Sequence, residues 1–381
     1  MRDRVVSPAS SERATHRLDG LTGLRIFAAF AIVLHHLRGQ LWLSAGALQG
    51  IPLAQGVGFF YVLSGFILQH SYRRRLEPRG GISTTQFIAL RFFRLWPCHI
   101  AVILLMILGT KGRVLDYFLS NFSTSQLFAA TFLLQAWHPD IKVVWALNGP
   151  AWSISVEMFF YAMFPLLCGK ARKSPLNPVY FGAAIAGAWL TAIWLYMPGG
   201  NLMALAGTNP LARILEFSVG VSAYECFTQS KWRFHSGTFL ELAALALAFL
   251  SVVSAPIISS FVGARFGMHL GWWLSNSASF LPFAILIGIF SWQEGRVSRF
   301  VGWKPVVYLG EISFALYLVH QPLISYLSGL PPWFKQLPLP VQVLVFAIIV
   351  IGLSSALHHL VEKPCMDIAK RLILRSKTGC A

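Results

Sequence analysis

Residues 101–109 read AVILLMILG, an uninterrupted apolar run without a single charge. Similar runs recur along the chain, as FLPFAILIGIF at 280–290 and AIIVIGLSSAL at 347–357. Each belongs to a stretch close to the roughly 20 residues that an α-helix needs to cross a bilayer. Because a chain in lipid must satisfy its backbone polar groups internally, these runs predict helices. The predicted fold is therefore all-α, a polytopic helical bundle whose first partner is the lipid bilayer.

The composition of the whole chain favours the same fold class. Of 381 residues, 56% are hydrophobic and 12% are charged, and the mean hydropathy is +0.61. Soluble domains carry about twice that share of charged residues. The net charge of +17 is typical of some nucleic-acid-binding proteins. Here the basic residues fall in short loops between apolar runs, so we expect no nucleic-acid partner. The five cysteines lack the spacing of a metal site, and we predict no bound metal.

The apolar pattern predicts about ten transmembrane helices. One further apolar segment, LFAATFLLQAW at 127–137, is too short to span and is predicted to be re-entrant or interfacial. The ten predicted spans lie at about 22–38, 54–71, 86–110, 150–168, 177–196, 209–226, 237–257, 271–291, 306–328 and 339–361.

The distribution of basic residues predicts the orientation of the bundle. With the N-terminus in the cytoplasm, twenty-one Lys and Arg residues face inward and six face outward. This bias follows the positive-inside rule and predicts that both termini are cytoplasmic. We divide the chain into a cytoplasmic polar arm at 1–20, a membrane domain at 21–364 and a cytoplasmic basic tail at 365–381.

The first predicted span carries an arginine near one end and two histidines near the other. Arg25 and His36 are eleven residues apart, about 20° beyond three full turns, so they share one stripe of the helix about 16 Å apart. His35 points about 80° away from that stripe. Arg25 could simply extend to the interface, and His36 could bond a neighbouring helix. Two ionisable residues aligned on one face more strongly indicate a polar cavity inside the bundle.

Other polar residues inside predicted spans are candidates for the same cavity. Glu157 lies within the fourth span, and Ser64 lies in the second, where the SerGly pair could equally serve helix packing. Arg91 and Arg94 are three residues apart and share a helix face. They could anchor the helix at the interface or bind phosphate. The remaining candidates for substrate binding are Trp152, Ser153, Ser155 and His320.

Taken together, these motifs resemble those of the membrane acyltransferase-3 family, and the resemblance extends from about Leu21 to Pro364. Arg25 and His36 match the family's R-x10-H signature, although His35 is an additional histidine. Six further blocks follow in the family's order: GVGFFYVLSGFIL (56–68), RFFRLWP (91–97), WSISVEMFFYAMFP (152–165), RILEFSVG (213–220), LGEISFALYLVHQP (309–322) and VEKP (361–364).

The resemblance implies an O-acyltransferase of a bacterial inner membrane. It implies acyl-CoA, most simply acetyl-CoA, as donor, and a sugar hydroxyl of a polysaccharide or lipid-linked glycan as acceptor. Family relatives that acylate macrolides leave that acceptor class open as well. Imidazole, with an ordinary pKa of about 6.5, can accept a hydroxyl proton. His36 is therefore the expected general base or transient acyl carrier, with Glu157 orienting it.

Two other questions stay open from the residues alone. Intramembrane Arg, His and Glu would also suit a proton-coupled transporter. However, the chain shows no internal repeat or pair of broken helices, which transporters commonly have. The oligomeric state is also open, with a homo-oligomer among the options.

Overall fold

The fold is taken from a computed structural model of the chain, which describes residues 18–40, 51–77, 81–229, 237–328 and 336–375. Residues 1–17 of the predicted arm (1–20) and residues 376–381 of the predicted tail lie outside these ranges. The described helices, in chain order, are α1 Asp19–Gln40, α2 Gly56–Tyr72, α3 Thr84–Gly109, α4 Arg113–Asn121, α5 Thr124–Thr131, α6 Ile141–Val144, α7 Trp152–Lys173, α8 Asn177–Tyr196, α9 Pro210–Gln229, α10 Gly237–Phe266, α11 Met268–Ser277, α12 Phe280–Ser291, α13 Arg296–Val301, α14 Lys304–Glu311, α15 Ser313–Ser328, α16 Leu339–Leu357 and α17 Lys363–Arg375. Two π-helical segments, Met203–Thr208 and His358–Glu362, lie between them.

The predicted helical membrane fold is confirmed, but the predicted count of about ten spans is not. Among the described residues, seven helical stretches are long and apolar enough to cross a bilayer. The bent pair α14 and α15, which meet at 60°, makes an eighth if it is counted as one span. The predicted second and sixth spans form helices as expected. However, α2 has only 17 residues, and α9 carries the charged residues Arg213, Glu216 and Glu225.

The two helices that fall short of the spanning criterion form the centre of the bundle. Their backbones touch at two glycines, since a Cβ at Gly65 would collide with the Phe217 carbonyl and one at Gly220 with the Val62 carbonyl. Small residues allow this close approach between membrane helices. Gly65 therefore serves packing, and Ser64 beside it is left to face a cavity.

The basic loops gather at one end of the bundle. The Arg73 Nε lies 3.1 Å from a carboxylate oxygen of Glu225, and Arg172 donates to the Arg73 carbonyl at 2.9 Å. Gln86, at the start of α3, donates to the Ile373 carbonyl of α17 at 2.9 Å. We call the end marked by these five residues the basic end. Of the segments that the charge pattern predicts to be cytoplasmic, it includes the start of the loop after α2, the end of α7 and the helix of the tail.

The start of α1 lies at the same end. The Gly20 amide donates to the Gln293 side-chain oxygen at 3.3 Å. The neighbouring Trp292 ring contacts Phe227, near the end of α9, with 5.6 Å between ring centroids. The predicted domain boundaries stay predictions: α1 begins at Asp19, and α17 continues across the boundary predicted at residue 364.

The segment predicted to be re-entrant or interfacial contains no helix of spanning length. Residues 127–137 form the end of α5 and a single 3-10 turn at Gln135–Trp137. The ring nitrogen of Trp96 donates to the Thr131 carbonyl at 3.1 Å, which ties the segment to α3. The segment therefore packs against α3 without forming a span of its own.

The orientation in the membrane can be tested by cysteine labelling. Arg75 follows α2 at the basic end, and Gly199 follows the 20-residue α8, which carries the chain about 30 Å from that end. Both residues are exposed. In a cysteine-free background, a membrane-impermeant maleimide applied to intact cells should label Gly199→Cys and not Arg75→Cys. Lysed cells should label both. Labelling of both variants in intact cells would contradict the predicted orientation.

Candidate active site

A cavity near the basic end brings three arginines together. It is lined by Arg25 of α1, Arg91 and Arg94 of α3, and Glu157 of α7. We call it the arginine cavity. Arg91 and Arg94 share a helix face, as their spacing predicts, and that face points into the bundle. The three arginines therefore face one space inside the bundle.

Arg91 is the most buried of the three arginines that line the cavity. It is 8% exposed, donates to the Tyr72 hydroxyl and lies over the Tyr72 and Tyr161 rings at 4.8 and 5.9 Å. Its Nε has no hydrogen-bond partner among the described residues. A buried cation needs compensation by charge or hydrogen bonds. Because Arg91 lacks a direct carboxylate partner in the described part of the chain, an anionic ligand could supply it.

Glu157 belongs to the arginine cavity and does not orient His36, contrary to the role expected from the sequence. One carboxylate oxygen accepts from the Ser64 hydroxyl at 3.0 Å and from the Tyr161 hydroxyl at 2.5 Å. These two bonds fix the carboxylate among the arginines. The position of Glu157 along α7 does not determine which cavity its side chain reaches, because that depends on the neighbouring helices.

A second cavity adjoins the first on the side away from the basic end. His35, His36 and Trp152 are among its lining residues. We call it the histidine cavity. Val57 and Tyr317 line both cavities, so the two spaces meet at these side chains. Arg25 and His36 thus face the interior from the same stripe of α1, but each belongs to its own compartment.

Hydrogen bonds define the protonation pattern of His36. The Nδ1 of His320 lies 2.6 Å from the Tyr317 carbonyl oxygen, which can only accept, so this nitrogen carries a proton. In the neutral ring, the Nε2 of His320 is then an acceptor. The Nδ1 of His36 lies 3.0 Å from this Nε2 and 3.0 Å from the Ile32 carbonyl, and both need a donor. His36 therefore carries its proton on Nδ1, and its Nε2 holds a free electron pair.

His35, which also lines the histidine cavity, carries its proton on the other ring nitrogen. The sequence predicts that only His36 reaches the cavity, and the structure corrects this. However, Arg38 donates to the Nδ1 of His35 at 3.0 Å and also donates to the Ile51 carbonyl. Because a guanidinium can only donate, neutral His35 carries its proton on Nε2. His36 can thus act as a base at Nε2, whereas His35 can act as a hydrogen-bond donor at Nε2.

The serines predicted to bind substrate have different surroundings. Ser153 lines the arginine cavity, and its hydroxyl lies 2.8 Å from the Tyr317 hydroxyl and 3.0 Å from the Pro150 carbonyl. Ser155 lies outside both cavities and accepts from the Ala136 amide at 3.2 Å. The substrate-binding role of Ser155 stays a prediction. His320, also a predicted binding residue, is fully buried and reaches the histidine cavity only through His36.

Sequence reasoning missed an ion pair at the edge of the histidine cavity. Arg213 is 1% exposed and contacts the Glu216 carboxylate through Nη2 at 2.7 Å and Nε at 3.0 Å. It also donates to the Gly207 carbonyl of the first π segment and lies over the Tyr61 ring. The i, i+3 pairing of opposite charges inside an apolar helix was the available signal. The pair braces α9 against that segment.

Glu362 is a second residue that the sequence did not single out. It lies in the second π segment, bonds His358 at 2.9 Å and interacts electrostatically with Arg25 and Arg94. Short π segments recur at functional sites, and here one carries a carboxylate towards the arginine cavity. Its signal was the VEKP block, within an otherwise apolar stretch. Among the described residues, no group of three or more His, Cys, Asp or Glu side chains could hold a metal ion.

Comparisons with known proteins find acyltransferases that match nearly the whole chain. A family profile described as an acyltransferase domain matches residues 18–359. The chain is 30% identical to acyltransferase MdmB of Streptomyces mycarofaciens over 386 residues, which covers 93% of each chain. It is 24% identical to O-acetyltransferase OatA of Staphylococcus aureus over 364 residues, covering 91% of this chain and 57% of OatA. No solved structure matches the chain.

Proposed function

The chain belongs to the acyltransferase-3 family, and from this premise we propose that it transfers a short acyl group from acyl-CoA to a hydroxyl of a sugar. The observation that carries the proposal is the pair of adjoining cavities, one rich in arginine and one holding an unprotonated imidazole nitrogen. A phosphate-bearing donor fits the first, and hydroxyl activation fits the second. The proposed location is the inner membrane of a bacterium, with the basic end and both termini in the cytoplasm.

The spacing of the two cavities supports CoA as the carrier. Arg25 and His36 are about 16 Å apart along α1. In the phosphopantetheine arm, about thirteen bonds separate phosphorus from sulfur, which corresponds to about 15 Å when extended. A phosphate among Arg25, Arg91 and Arg94 would thus leave the thioester near His36. The arm would pass between Val57 and Tyr317, where the two cavities meet.

The proposed reaction needs one group that first accepts a proton and then donates it, and we assign both roles to His36. The Nε2 of His36 takes the proton of the acceptor hydroxyl as its oxygen attacks the thioester carbonyl. The C–S bond then breaks, and the same proton passes to the departing thiolate, giving an ester and free CoA. His36 could instead carry the acyl group briefly on Nε2.

The acceptor is proposed from the family and the shape of the histidine cavity. OatA is named an O-acetyltransferase, which favours an oxygen acceptor and an acetyl group here as well. Both the glycan and the macrolide alternatives present hydroxyl groups, and the cavity suits either class. Mass spectrometry of surface glycans and secreted metabolites from wild-type and deletion strains would identify the acceptor through the loss of one acyl mass.

The donor site can be tested through Arg91 and Arg94. Replacing either by alanine should raise the KM for acetyl-CoA about tenfold, because one charge-assisted hydrogen bond to phosphate is lost. The assay follows release of the CoA thiol by purified protein in lipid nanodiscs with a cell-derived acceptor extract. Arg172→Ala is the matched control, since Arg172 lies at the basic end outside both cavities. Unchanged donor KM in both cavity variants would remove the support for a phosphate site.

A further inference from the structure

The wall of the histidine cavity contains a buried amide whose orientation is fixed. Asn148 is 1% exposed and lines the cavity from the loop that precedes α7. Its Nδ2 donates to the Leu318 carbonyl of α15 at 3.0 Å. A carbonyl oxygen can only accept, so this bond determines which end of the amide is nitrogen. The Oδ1 is thereby assigned as the atom that remains for other contacts.

That oxygen lacks a hydrogen-bond donor in the described structure. The Oδ1 of Asn148 is buried and unpaired, and so is the Oε1 of Gln321, another residue lining the histidine cavity. The two side chains lie on facing elements, since the Gln321 Cγ is 3.9 Å from the Cβ position of Gly149. A buried acceptor without a donor costs free energy of about 1–3 kcal/mol. Two such oxygens in one cavity therefore indicate a ligand that supplies donors.

The position of these oxygens relates them to the proposed reaction. Gln321 directly follows His320, whose Nε2 accepts from His36. Leu318, which holds Asn148, lies two residues before His320. The amide groups are thus within about one helical turn of the histidine pair along α15.

The rest of the wall fits a ring more closely than an extended chain. Trp145, which is 46% exposed, and Trp152 both line the cavity. Ligand sites usually combine aromatic walls with a few placed polar groups that set orientation. Here the placed groups are oxygen acceptors, which select ligands with several hydroxyl donors.

We propose that Asn148 and Gln321 form the acceptor subsite and accept hydrogen bonds from two ring hydroxyls next to the one that is acylated. The ligand class is a polyhydroxylated ring, a sugar, and not an alcohol with a single hydroxyl. This inference rests on the proposed function for its place in the reaction. The subsite itself is a statement about binding, and it can be measured without acyl transfer.

The test uses sugar binding to the full chain in nanodiscs. Saturation-transfer NMR would measure affinities for methyl glucoside, methyl galactoside and methyl rhamnoside, with 1-octanol as the single-hydroxyl comparison. At least one glycoside should bind, and octanol should not compete with it. Asn148→Leu and Gln321→Leu should each weaken the glycoside about fivefold to tenfold, the effect of one neutral hydrogen bond. Asn177→Leu is the matched control, because that amide also donates to a backbone carbonyl, far from both cavities.

Monodeoxy versions of the bound glycoside make the test independent of folding defects. Removing a ring hydroxyl that meets Asn148 should weaken binding to the wild type and cost nothing further in Asn148→Leu. Equal losses in both proteins, or no glycoside binding at all, would overturn the subsite. Acetyl transfer is measured in parallel on the same samples. Sugar binding without any transfer would refute the proposed function and leave the subsite standing.

Discussion

His36→Ala is expected to abolish measurable acyl transfer, whereas His35→Ala should keep most of it. A general base contributes about 10²- to 10⁴-fold in rate. Only His36 can act as one at Nε2, because its Nδ1 proton is held by Ile32 and His320. The Nε2 of His35 carries a proton, since Arg38 occupies its Nδ1. Two adjacent histidines that line one cavity should therefore differ greatly in effect.

His35→Ala is the matched control for this comparison. It removes the same side chain from the same cavity and the same helix. Transfer of labelled acetyl from acetyl-CoA is measured at equal amounts of membrane-inserted protein, with KM for the donor determined for each variant. An inactive His35→Ala together with an active His36→Ala would show that the assignment of proton positions is wrong. Label retained on His36 in the absence of acceptor would favour the acyl-carrier route over direct transfer.

The sequence predicted the general arrangement of this site from helical geometry. The eleven-residue spacing of Arg25 and His36 placed both on the interior stripe of α1, and the structure has them there. What the spacing could not give is the role of each ring nitrogen. That depends on Tyr317 and His320, which come near His36 only through tertiary packing. His320 is 284 residues from His36 in the sequence.

The same limit explains the predictions that were corrected. The sequence predicts that Glu157 orients His36, whereas the structure has Glu157 in the arginine cavity. Direction across the bundle depends on which helices are neighbours, and there Glu157 turned to Ser64 and Tyr161. The predicted count of about ten spans is not confirmed for a related reason. Two central helices, α2 and α9, are surrounded by protein, so one can be short and the other charged without contact with lipid.

His320→Leu is expected to lower kcat about a hundredfold while the KM for acyl-CoA stays unchanged. His320 does not line either cavity, so it acts as a positioning residue through His36. Its Nε2 shares the Nδ1 proton of His36 with the Ile32 carbonyl, and this second acceptor helps to hold the His36 ring with Nε2 free to act as the base. Loss of a group that fixes a catalytic tautomer is known to be costly, as it is for the aspartate of serine protease triads. Binding of acyl-CoA at the donor site, near the basic end, should be unaffected by this substitution.

His320→Gln separates this positioning role from a general loss of packing. A glutamine places its side-chain oxygen close to where Nε2 of His320 lies, so it can still accept from His36, whereas leucine of similar size cannot. We therefore expect His320→Gln to retain activity to within about tenfold of the wild type, although it loses the bond to the Tyr317 carbonyl just as leucine does. A structural defect would affect the buried polar glutamine at least as much as the leucine. Equal inactivity of the two variants, with both inserted and both binding acetyl-CoA, would show that the acceptor atom facing His36 is not what His320 supplies.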